Sequence, residues 1–153
     1  MKVSQAGKDF IKSFEGWEPR AKDDGFGTLT IGWGHTSAAG PPRVVKGMTV
    51  TKVQGEKILD NDLAIVAADV TKLVKISLNQ NQFDALISFD FNTGGLRRSS
   101  LLRDINNRHT GRIRSDFLLW VKSGKRTVRG LVRRRSAEAN LYMKGTSNAR
   151  KSR

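Results

Sequence analysis

Cysteine is absent from the 153 residues. That excludes disulfides, thiol nucleophiles and cysteine-built zinc sites. Histidine occurs twice, as His35 and His109, too few for a histidine-rich metal centre. A metal site built on cysteine or histidine is therefore not expected. Long apolar runs are also missing, so no membrane-spanning helix is expected. Met1 to Lys8 lacks the apolar middle of a signal peptide, which points to synthesis in the cytoplasm. Acidic residues are scarce in the last third, where only Asp104, Asp116 and Glu138 stand among 17 Lys and Arg.

Charge is therefore unevenly placed. Residues 1–96 balance 11 basic against 11 acidic side chains, and residues 97–153 carry the whole formal charge of +14. Such a field concentrates polyanions. Nucleic acid, teichoic acid, lipopolysaccharide and peptidoglycan all fit by charge. Trp120 and Tyr142 among the basic residues suit nucleic acid. However, residues 97–153 hold no recognition-helix, zinc-finger or single-strand motif, so no specific nucleic-acid partner is expected.

The length suits one domain, and 37% apolar residues suffice for a core. Ser4 can cap a helix with Phe10, Ile11 and Phe14 on one face, ending at Glu15 before Gly16. Asp23-Asp24-Gly25 signals a turn, and the glycines interleaved with Phe26, Leu29, Ile31 and Trp33 predict a small antiparallel sheet. Residues 37–48 read as a loop. Thr51 with Gln54 forms a capping box for a helix of about 22 residues, and Asn79 with Gln82 forms a second for a buried central helix. Shorter helices are expected near 99–106, 112–122 and 128–143. Leu101, Ile105, Phe117, Trp120, Leu131 and Tyr142 are the inward candidates. The expected class is α+β: a small sheet lobe joined to a larger helical lobe by the long helix, with a cleft between. The lobes are drawn at about 15–60 and at 1–14 with 61–145. A basic mobile tail follows at 146–153.

Two carboxylates sit in unlike settings. Glu15 follows an apolar stretch at the negative end of a helix, where desolvation and the dipole favour its protonated form. A carboxyl kept protonated near neutrality can protonate a leaving oxygen, such as a glycosidic one. Asp24 lies in a polar turn, suits an ionised role and can orient a water. Thr30 follows six residues later with a hydroxyl able to hold that water. Read alone, each residue has a plainer explanation: a solvated helix end, a turn aspartate and a β-branched strand residue.

The pattern as a whole resembles the phage-type lysozymes (glycoside hydrolase family 24). The matching residues are Glu15-Gly16, Asp24 nine residues on, and Thr30-Ile31-Gly32-Trp33-Gly34-His35. Asn81 to Phe89, Phe91-Asn92-Thr93-Gly94 and Gly130 to Arg135 with Glu138 look like the family's central and last helices. The resemblance covers nearly the whole chain in order. It departs in two places: Ala21-Lys22-Asp23 supplies no aromatic before Asp24, and Trp33 is large between Gly32 and Gly34. It implies a monomeric endolysin, with no metal or organic cofactor, that hydrolyses the β-1,4 bond between N-acetylmuramic acid and N-acetylglucosamine. The anomeric centre would be inverted, with Glu15 as acid, Asp24 as carboxylate partner and Thr30 positioning water. Such an enzyme would reach the wall from the host cytoplasm through a membrane lesion, and the basic third would attract anionic envelope polymers.

Gly34, Trp33 and Asn92 are the substrate-binding candidates. Trp33 is either a sugar-stacking platform or a core residue, and Asn92 either a cleft amide or a helix cap. His35 by residue type can be a base; the resemblance implies instead an ion pair with Asp62. Arg133 is the candidate partner for Glu15, or else belongs with Arg134 and Arg135 to a solvated basic face.

Overall fold

A computed structural model describes residues 1–151, with side chains through Lys144. The tail expected at 146–153 lies outside the described residues, apart from helical backbone to Lys151.

Helix α1 is Gln5–Glu15, and the Ser4 side chain accepts from the Gly7 N–H as expected of its cap. The chain then enters β1, Glu18–Asp23, and returns as β2, Leu29–Gly32. The two pair antiparallel, with Lys22 opposite Thr30 and Asp23 opposite Leu29. The loop to the next helix contains a short helical turn at Ser37–Ala39 and a cis Pro41-Pro42 bond.

Helix α2, Lys52–Leu73, starts from the Thr51–Gln54 capping box. Its 22 residues span about 33 Å. Ile58, Leu59, Asp62, Leu63, Ala67 and Val70 recur at helical spacing and are buried. Helix α3, Gln80–Thr93, starts from the Asn79–Gln82 box. Every residue from Gln82 to Phe89 is buried, so this helix is the centre of the molecule. Around it lie α4 (Ser100–Asn106), α5 (Ile113–Leu118) and α6 (Arg129–Lys151). Ile11, Leu63, Phe83, Leu86, Phe89, Leu101, Ile105 and Phe117 belong to one continuous core. The result is α+β, a small sheet lobe and a helical lobe joined by α2.

Two expectations are corrected. The helix anticipated over 112–122 ends at Leu118, and a hairpin follows: β3 at Lys122–Ser123 and β4 at Arg126–Thr127. All four strand residues are exposed, so no buried face imposed an alternating pattern that could reveal them. Trp120, half-buried, packs inward on the core with its ring centre 5.5 Å from that of Phe89, whereas Leu131, also expected inside, is only half-buried beside this hairpin. Among the described residues no helix is long and apolar enough to cross a membrane.

Candidate functional site

The end of α1 delivers Glu15 to the surface, with its side chain 16% exposed. One oxygen, Oε1, accepts from Arg134 Nη1 at 2.5 Å. The other side of the carboxyl lies against Gly34. A Cβ placed on Gly34 would stand 2.9 Å from Glu15 Cδ and closer still to Oε2, and Gly34 has φ +71°. Only glycine accepts both that conformation and that approach.

Glu15 opens into a hollow of about 530 Å³ between α1, the end of α3 and the start of α6. Asn92, Val128, Leu131 and Arg133 also line it. A larger and more apolar groove of about 790 Å³ runs between the N-terminal segment and α2, away from Glu15. Asp60 is the carboxylate that lines it, and Lys8 pairs with it at 2.6 Å, so the smaller hollow is the better chemical candidate.

Asp24 and Thr30 do not line that hollow; they belong to the β1–β2 hairpin. Asp24 Oδ1 accepts from the N–H groups of Phe26 at 2.7 Å and Thr28 at 3.2 Å. Asp23 does the same for Gly25 and Gly27, at 2.7 and 3.3 Å. The two aspartates thus tie the turn together through side-chain bonds that substitute for backbone ones. Thr30 donates to the Lys22 carbonyl at 3.3 Å across the strand pair.

Behind Glu15 is a buried ionic layer. Arg134 Nε donates to Glu138 Oε2 at 3.3 Å, and Arg134 Nη2 to Ser88 O and Oγ, both at 3.3 Å. Burial pushes Glu138 above the ordinary carboxylate range, against the opposing pull of Arg135, Ser88 and Arg134. Burial likewise lowers Arg135 to about 10. Arg135 donates to the Asn92 side-chain oxygen, and its guanidinium lies 5.1 Å from the Phe89 ring centre.

The expected partner for Glu15 was Arg133; the structure gives Arg134. Arg133 is exposed on the wall of the hollow, about 100° around the helix. The alternative of a solvated basic face is also corrected, since Arg134 and Arg135 are buried at 4% and 0% exposure. Their long-range partners, Glu15 for Arg134 and Asn92 for Arg135, lie 119 and 43 residues away, so little in the local sequence marks their burial. Glu138 at i+3 and i+4 was the available clue. Asn92 is not the cap of α3, which Gly94 provides.

Trp33 packs against the core and against Trp17, with ring centres 5.1 Å apart. Lys52 lies 4.6 Å from the Trp17 ring centre and 4.8 Å from that of Trp33, and Lys12 lies 5.1 Å from Trp33. That environment favours the core reading over a free sugar platform. His35 is 1% exposed, with Nδ1 at 2.7 Å from Asp62 Oδ2 and Nε2 at 2.8 Å from the Pro42 carbonyl. Both ring nitrogens face acceptors, so the doubly protonated ring satisfies the site best. Burial pulls the ring down, but Asp62 and the Pro42 carbonyl more than offset it and hold it above its ordinary value.

Comparison with known proteins agrees with this architecture. The Phage lysozyme family profile matches residues 12–138. An endolysin of Bacillus phage PZA is 41% identical over 95% of this chain, which spans only 57% of that relative's length. An endolysin of Salmonella phage P22 is 38% identical, covering 91% of this chain and 97% of its own. The solved muramidase domain of SpmX from Asticaccaulis excentricus superposes with a TM-score of 0.82 at 33% identity, covering 93% of this chain and 97% of its own. With a family match over most of its length and relatives this similar, the chain belongs to the phage lysozymes.

Proposed function

We propose that this chain is the lysozyme of an endolysin, hydrolysing the β-1,4 bond between N-acetylmuramic acid and N-acetylglucosamine in bacterial peptidoglycan. The observation that carries the reading is the Glu15 carboxyl. It stands at the tip of a helix, partly buried, open to a hollow and clamped between Arg134 and Gly34. A carboxyl held in one orientation is what proton delivery to a glycosidic oxygen requires.

In this reading Glu15 donates its proton to the oxygen of the departing sugar. The anomeric carbon gains oxocarbenium character as the C–O bond lengthens. A water attacks from the opposite face and inverts the centre. Asp24 accepts that water's proton through Oδ2, because its two backbone hydrogen bonds use Oδ1. Thr30, fixed by its bond to Lys22, orients the same water. Asn92 and Gly34 contact the sugar, and His35 with Asp62 holds the sheet lobe to α2.

The basic third supports a further part of the reading. Lys122, Lys125, Arg126, Arg129 and Arg133 are exposed, and Arg133 lines the hollow. They would hold the enzyme on anionic envelope polymers or lipopolysaccharide. The enzyme would act on the wall once the membrane is breached. A turbidity assay on outer-membrane-stripped bacteria tests the core of this. Wild type should clear the suspension and folded Glu15→Gln should not; equal clearing by the two removes Glu15 from the chemistry.

A further inference from the structure

The reaction just described uses no atom of Glu138, Arg135 or Ser88. Yet Glu138, Arg135 and Ser88 are all 0% exposed, and Arg134 is 4% exposed. Ionised groups this deep cost several kcal/mol each in desolvation, and apolar replacements often fold as well or better. Their burial directly behind Glu15 calls for a physical role.

The guanidinium of Arg134 shows what that role is. Each of its three nitrogens has its own partner. Nε meets Glu138 Oε2, Nη2 meets both oxygens of Ser88, and Nη1 meets Glu15 Oε1. The Ser88 hydroxyl also donates to Glu138 Oε2, at 2.5 Å. Two corners of a rigid planar group are thus fixed from inside the protein, which determines where the third points. Glu138 Oε1 lies 3.1 Å from Arg135 Nε, an ion pair whose N–H is not aligned as a hydrogen bond.

We propose that Glu138 is a positioning residue for the cleavage, fixing Arg134 and balancing its charge so that one guanidinium corner holds Glu15 in its donating orientation. This rests on the reading of Glu15 as the acid. The charged groups facing Glu138 are Arg134 and Arg135 of α6. Helix α3 presents the Ser88 hydroxyl, and α1 presents Glu15 beyond Arg134. Removing the Glu138 charge would leave two buried cations with Glu15 as the nearest counter-charge in the network. Glu15 would then release its proton more readily, and activity that needs the protonated acid would fail at lower pH.

The test is kcat and KM against pH on a soluble peptidoglycan fragment. In folded Glu138→Gln, kcat should fall about tenfold with KM little changed, and the alkaline limb of kcat should move down by about one pH unit. A wild-type kcat and limb would overturn the proposal. Breaking a buried pair can unfold a protein, so Ser88→Ala provides the second variant. It keeps every charge but frees two of the clamping contacts, and should lower kcat several-fold with the limb unmoved. An unchanged kcat there also overturns the proposal. Glu15→Gln run alongside separates the two levels: if it retains activity, the acid assignment itself fails. If it is dead while the Glu138 and Ser88 variants match wild type, only the positioning role fails.

Discussion

Replacing Gly34 with alanine perturbs the candidate acid without touching its charge. The added Cβ would lie 2.9 Å from Glu15 Cδ, where ordinary contact begins at 3.4 Å, and it would press harder on Oε2. The carboxyl must retreat by about 0.5 Å or more, while Arg134 holds its other oxygen at 2.5 Å. Displacements approaching 1 Å can cost about 100-fold in rate, so kcat should fall roughly 30- to 100-fold. Backbone strain at φ +71° adds about 1–2 kcal/mol of destabilisation. For a domain of this size that lowers Tm by about 2–8 °C. Gly47→Ala is the control: its φ is +84°, but nothing lies within 4 Å of the new Cβ. It should show a similar Tm loss and wild-type clearing. The assays are thermal melts and turbidity clearing, both variants side by side. If Gly34→Ala clears within twofold of wild type, the Gly34–Glu15 contact does not constrain the chemistry.

Three further outcomes are expected. The His35–Asp62 pair stabilises the fold through a raised imidazole. Its contribution should be complete below about pH 6.5 and lost as pH rises through the folded-state value; urea titrations from pH 5 to 9 should show this decline, and His35→Gln should abolish it. At Gly55, a Cβ would strike Trp17 Cη2 at 2.6 Å, and that ring is already packed against Trp33 and Lys52. Gly55→Ala should therefore cost about 1–3 kcal/mol in denaturant melts. Changing Lys122, Lys125 and Arg126 to glutamate should weaken wall binding and flatten its salt dependence in a sedimentation assay, because these exposed charges are screened by salt.

What the sequence revealed depended on distance along the chain. Ser4, Thr51–Gln54 and Asn79–Gln82 are local signals, because a cap and its target N–H lie within one turn, and all three helix starts were legible. The burial stripe of α2 was legible for the same reason. The position of Glu15 at a helix end followed from Gly16. By contrast, burial of Arg134 and Arg135 depends on partners from α1 and α3. Three consecutive arginines look solvated until those partners are known. The β3–β4 hairpin was hidden because neither of its faces is buried. Trp33 was ambiguous because its neighbours Trp17, Lys12 and Lys52 come from separate elements.

The most direct measurement is mass analysis of purified peptidoglycan digested by the wild-type chain and by folded Glu15→Gln. The account requires fragments ending in reducing N-acetylmuramic acid from wild type, and none from the variant. Anhydro-muramic ends, released stem peptides, or equal digestion by the variant would contradict it.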